Sequence, residues 1–91
     1  MDNDTQELVE EKVDSKVDPG NELVLFNDDV NTFDWVIVSL IEVCQHTAEQ
    51  AEQCSLIVHH KGKCSVDSGS FAELKPKCSA LLDRGLSAEI M

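Results

Sequence analysis

A chain of 91 residues, 42% of them hydrophobic, has room for one small domain with a modest core and leaves no space for a second. A formal net charge of −11 argues against nucleic-acid binding, which relies on clustered Lys and Arg to release counterions from phosphates, and it disfavours an acidic membrane surface for the same reason. No stretch is long or apolar enough to span a bilayer, and the start lacks the features of a secretion signal or an Arg-rich transit peptide, so a cytoplasmic location is expected.

Met1 to Glu22 carries eight acidic residues against Lys12 and Lys16, a net of −6. Its few apolar residues give way to the turn-forming breaker Asp18-Pro19-Gly20-Asn21. Residues 1–21 are therefore expected to be a disordered acidic N-terminal extension, joined to a folded domain over residues 22–91. A short amphipathic helix from Leu8 to Val17 would bury little. Leu23-Val24-Leu25-Phe26 then forms an apolar run of β-forming residues that stops at three short polar side chains, Asn27, Asp28 and Asp29. Carboxylates and an amide carbonyl are acceptors, and an ammonium group offers three donors that want acceptors around them, so this corner can receive a cation such as a free α-amino group. The same three residues also suit a plain turn with a helix cap.

The first helix is expected to start with Asn31 as N-cap and Asp34 in its first turn, and Phe33, Val36, Ile37, Leu40, Ile41 and Cys44 follow helical spacing. Phe33 and Val36 lie at the end nearest the polar corner, where they either pack in the core or line a pocket. Trp35 falls off the apolar face. A second helix opens on Thr47-Ala48-Glu49-Gln50, a capping box, and Ala48, Ala51, Cys54, Ser55 and Val58 form its inward stripe. His59 follows near its end, as a helix-end residue or as an acceptor for an amine; as an acceptor its ring must be neutral, so capture would vary with pH where histidines titrate. Gly62 ends the helix in the left-handed position. Lys63 to Asp67 reads as a short strand pairing with Leu23 to Phe26. Ser70-Phe71-Ala72-Glu73 is a second capping box, and Glu73 and Lys77 stand at i, i+4, but Pro76 leaves two outcomes: a kinked helix, or one that starts late with Pro76 in its first turn. Either way the helix runs to Arg84 and ends at Gly85, and Leu86 to Ile90 closes the domain as a strand. The cysteines at 44, 54, 64 and 78 form no C-x-x-C pair and no Cys/His cluster, so they are expected to be reduced, small apolar groups. The order strand, helix, helix, strand, helix, strand gives an α+β domain, three helices on one face of a small three-stranded antiparallel sheet.

Leu-Phe-Asn-Asp-Asp before a helix, followed about one helix later by Val58-His59-His60-Lys61-Gly62-Lys63, resembles the ClpS family of N-degron adaptor proteins, and the similarity runs from about Leu23 to the C-terminus. The resemblance implies an adaptor, not an enzyme. Such adaptors bind proteins whose first residue is large and hydrophobic and hand them to a Clp AAA+ unfoldase for degradation. Position by position it makes Asn27, Asp28 and His59 the groups that hold the substrate α-amino group. It makes Asn31, Phe33, Val36, Ser55, Val58 and Leu86 the walls around the first side chain. It puts Lys77 at the unfoldase contact and implies that the N-terminal extension is needed to engage that unfoldase. The implied partners are N-degron proteins and peptides and the N-terminal domain of a ClpA- or ClpC-type unfoldase, met by a monomer without cofactor or metal. Three departures stand out: the family usually has Thr-Pro-Met where this chain has Asn31-Thr32-Phe33, often has Met where it has Ser55, and has no proline at Pro76.

Two other classes remain open. An interaction module resembling the ribosomal stalk C-terminal domain would use its surface helix and not the polar corner. A small hydrolase built on Asp28, Asp29 and His59 has the residue types but neither a nucleophile nor an oxyanion loop beside them.

Overall fold

The computed structural model describes residues 20–91. Residues 1–19 of the acidic extension, with the short helix from Leu8 to Val17, lie outside the described residues; of the other two, Asn21 already belongs to the sheet. The elements are β1 (Asn21–Phe26), α1 (Phe33–Cys44), α2 (Ala48–Lys61), β2 (Lys63–Gly69), α3 (Phe71–Asp83) and β3 (Ser87–Ile90). This is the expected α+β order. The sheet is antiparallel, with β1 between β2 and β3, so β3 is an edge strand.

Period-2 alternation decides which side of the sheet is covered. Leu23 and Leu25 point into the core with Leu40, Ala51, Val58, Leu74, Leu81 and Leu86 from the helices and the last loop. Directly paired residues share a face, so Cys64 and Ala88, the partners of Leu25, join the same core. The β1–β2 register slips between Leu23 and Val24, which pair with Asp67 and Ser65 and leave Val66 as the extra residue of a bulge. Val66 is thereby buried, and Asp67 reaches Lys77 on α3 at 2.6 Å.

Both capping boxes form: the Thr47 hydroxyl accepts from the Gln50 amide and the Gln50 side chain from the Thr47 amide, and Ser70 and Glu73 do the same. Because Ser70 caps α3, the late start at Pro76 is excluded; α3 runs through the proline. The Ala72 carbonyl loses its helical donor, and since Ala72 and Pro76 are both exposed, water can meet it. Glu73 is occupied by its cap, so the expected i, i+4 pair with Lys77 is replaced by the Lys77–Asp67 ion pair. Ala48, expected inside, is exposed, while Ala51, Ser55 and Val58 are buried. Gly62 ends α2 at φ +93° and Gly85 follows α3 at φ +86°, both in the left-handed region that glycine enters without strain. The four cysteines are free, and burial, with the Asp67 charge nearby, pushes the Cys44 thiol up to about 11. No helix among the described residues is long and apolar enough to cross a membrane.

Candidate binding site at the end of the central strand

The chain leaves β1 at Asn27, whose amide donates to the Gly62 carbonyl at 2.9 Å. That bond sets the polar turn beside the end of α2, where His59 lies in the last turn. The next residue builds the turn itself. One Asp28 carboxylate oxygen accepts from the amides of Val30 and Asn31, both at 3.0 Å, and from the Asn31 side chain at 2.9 Å. The other accepts from the same Asn31 amide group at 3.0 Å and from the Ser87 hydroxyl at 3.4 Å. Burial works to raise the Asp28 carboxyl, but the hydrogen bonds from Asn31, Val30 and Ser87 outweigh it and hold the pKa below the usual carboxylate value.

Asn31 is not the N-cap of α1. Its side-chain amide is spent on Asp28 and on the Gly85 carbonyl at 2.9 Å, which ties the turn to the loop before β3. Thr32 caps instead, its hydroxyl accepting from the Trp35 amide at 3.1 Å. Trp35, off the core face, has partners of its own: its indole N–H donates to the Arg84 carbonyl at 3.0 Å, and the Arg84 guanidinium lies 5.5 Å from the ring centre. Arg84 also pairs with Glu42 at 2.7 Å. Two sets of bonds therefore fasten α1 to the α3–β3 loop.

Between these elements lies a cavity of about 440 Å³. Asn27, Asp28, Asn31, Phe33, Val36, Ser55, Val58, His59 and Leu86 all line it. Lys77 does not: its ammonium is held by Asp67, and that hydrogen bond raises its pKa above the ordinary lysine value. Leu25, Phe26 and Asp29 also line the cavity; Asp29 was visible in the Asn-Asp-Asp triple, whereas Leu25 and Phe26 looked like ordinary strand residues. Among the described residues, the side chains of Asn27 and Asp29 have no hydrogen-bond partner, and the His59 ring meets only the edge of His60 at 5.2 Å between centres. The site thus combines free acceptors and a fixed carboxylate with apolar walls from Leu25, Phe33, Val36, Val58 and Leu86. An ammonium beside the acceptors and an apolar side chain against the walls would both be satisfied. No group of three or more His, Cys, Asp or Glu among the described residues could hold a metal ion.

Residues 16–89 match the family described as ATP-dependent Clp protease adaptor protein ClpS. A relative of that description from Nitratidesulfovibrio vulgaris is 36% identical over 74 residues, covering 79% of this chain and 72% of its own length. One from Campylobacter jejuni is 37% identical over 57 residues, covering 60% of this chain and 59% of its own. Among solved structures, Agrobacterium tumefaciens ClpS2 bound to L-phenylalaninamide superposes with a TM-score of 0.79 at 18% identity, over 82% of this chain and 98% of that one, a likeness of fold. With the family match spanning most of its length, the chain belongs to the ClpS family of Clp protease adaptors.

Proposed function

We propose that the cavity captures the first residue of a protein chain, so that this adaptor selects N-degron substrates and hands them to a Clp AAA+ unfoldase of the ClpA or ClpC type. The observation that carries the reading is the joining of two chemistries in one cavity, hydrogen-bond acceptors from Asn27, Asp28, Asp29 and His59 and apolar walls around them. Asn27 and a neutral His59 accept from the α-amino group. Asp28, kept ionised by its own hydrogen bonds, supplies the charge that an ammonium needs nearby. That another family member, Agrobacterium ClpS2, has been solved with L-phenylalaninamide supports the same use here. By the family resemblance, the unfoldase contact includes the side of α3 that carries Lys77.

Burying one Leu- or Phe-sized side chain contributes about 1.5–3 kcal/mol. Each hydrogen bond to a charged group adds about 1.5–3 kcal/mol, which brings the total into the micromolar range. The test compares peptides that begin with Leu, Phe, Trp or Tyr, each with a free and an acetylated N-terminus, by anisotropy of a dye at the far end. Free forms should bind and acetylated forms should not; equal binding of the two overturns the proposal.

A further inference from the structure

Ser55 differs from every other group on the cavity wall. It sits on α2 one turn before His59, is 3% exposed, and its hydroxyl has no hydrogen-bond partner. A serine inside a helix commonly returns its hydroxyl to the carbonyl four residues back, but Ser55 makes no such bond to Ala51. Withdrawing a hydroxyl from water without a partner is unfavourable, and buried polar side chains are nearly always paired. Ser39 Oγ, His46 Nδ1 and Arg84 Nη1 are also buried and unpaired, but none of those residues lines the cavity. Ser55 does, among otherwise apolar side chains of Phe33, Val36, Val58 and Leu86. Its missing partner can therefore arrive with whatever fills the cavity.

We infer that Ser55 is a specificity-determining residue, its hydroxyl bonding a polar atom on the first side chain of the substrate. This rests on the reading of the cavity as the seat of that side chain and refines the substrate class. The preferred first residue has an apolar, ring-sized body to match the walls and one hydrogen-bonding group to meet Ser55: tyrosine above phenylalanine and leucine. A charged first residue does not fit, because a single hydroxyl cannot compensate the loss of its hydration.

The experiment measures dissociation constants for two free-amine peptides that differ only in beginning with Tyr or Phe, against the wild-type chain, Ser55→Ala and Ser39→Ala. A neutral hydrogen bond gained on binding favours Tyr by about threefold to tenfold in the wild type. In Ser55→Ala the ratio of Tyr to Phe affinity should fall to parity or reverse, and in Ser39→Ala, outside the cavity, it should remain. Thermal unfolding of Ser55→Ala should match or exceed that of the wild type, because no bond within the fold is lost. Equal or weaker binding of Tyr by the wild type, or a Tyr preference that survives Ser55→Ala, overturns the inference and leaves the amine-capture reading standing. If free and acetylated peptides bind alike, the capture reading fails and this inference falls with it.

Discussion

Removing the Asp28 carboxylate should loosen the fold as well as weaken capture. Asp28→Ala deletes the acceptor for the Val30 amide, the Asn31 amide, the Asn31 side chain and the Ser87 hydroxyl. The Val30 and Ser87 donors are exposed and can turn to water, so little is lost there. The two Asn31 donors are partly buried, and hydrogen bonds to a carboxylate contribute about 1.5–3 kcal/mol each before that partial exposure is discounted. A net loss of about 2 kcal/mol results, which for a domain of this size lowers the melting midpoint by about 8–16 °C. Circular dichroism at neutral pH measures it directly. Asp28→Asn keeps one oxygen for the amides and should melt between the two, while losing the charge that faces the substrate amine. An Asp28→Ala protein that melts with the wild type would show that the turn is held by something else, and the account of Asn31 and Gly85 given above would fail with it.

Phe33→Ala should enlarge the cavity beside Val36 and broaden the accepted first residues; unchanged relative affinities for Leu, Ile and Phe peptides would reject this role. Pro76→Ala restores the helical donor to the Ala72 carbonyl and should raise stability by about 1–3 kcal/mol, read as a shift of the urea midpoint with unchanged slope. The Lys77–Asp67 pair makes stability depend on pH in a defined sense. Burial raises Asp67, but its hydrogen bond from Lys77 wins and lowers its pKa, so its contribution is present above the unfolded carboxyl value and is lost as pH falls through the folded one. Lys77 is raised, so its contribution is complete below the unfolded lysine value and is lost as pH rises through the folded one. Asp67→Asn should thus cost about 0.5–1 kcal/mol at neutral pH. Urea melts should show that difference shrink as pH falls through the lowered Asp67 value; a cost that stays constant into acid refutes the ion-pair account.

Residues whose roles depend on local spacing could be read before the structure was known. The capping boxes at Thr47 and Ser70, the left-handed Gly62 and the alternation of β1 each follow from a few neighbouring residues. The gathering of Asn27, His59, Phe33 and Leu86 in one cavity followed only from the family resemblance, because no periodicity joins positions so far apart in the chain. What escaped depends on competition for hydrogen bonds. Asn31 and Thr32 are both good caps, and only the long-range pull of Asp28 and Gly85 on Asn31 decides for Thr32. Lys77 had Glu73 within helical reach, but a capping box claimed Glu73 and a bulge brought Asp67 closer. Likewise the orphaned hydroxyl of Ser55 is a fact about surroundings and leaves no mark in the sequence.

Trp35 is the single indole of the chain, and its ring bridges α1 and the loop after α3 under the guanidinium of Arg84. Its emission is therefore a built-in optical reporter of one seam, with Phe33 and Val36 beside it on α1 and Leu86 just beyond Arg84 on the other side. A ligand that spreads or tightens the cavity walls must move that seam, so intrinsic fluorescence can register occupancy without a dye on either partner.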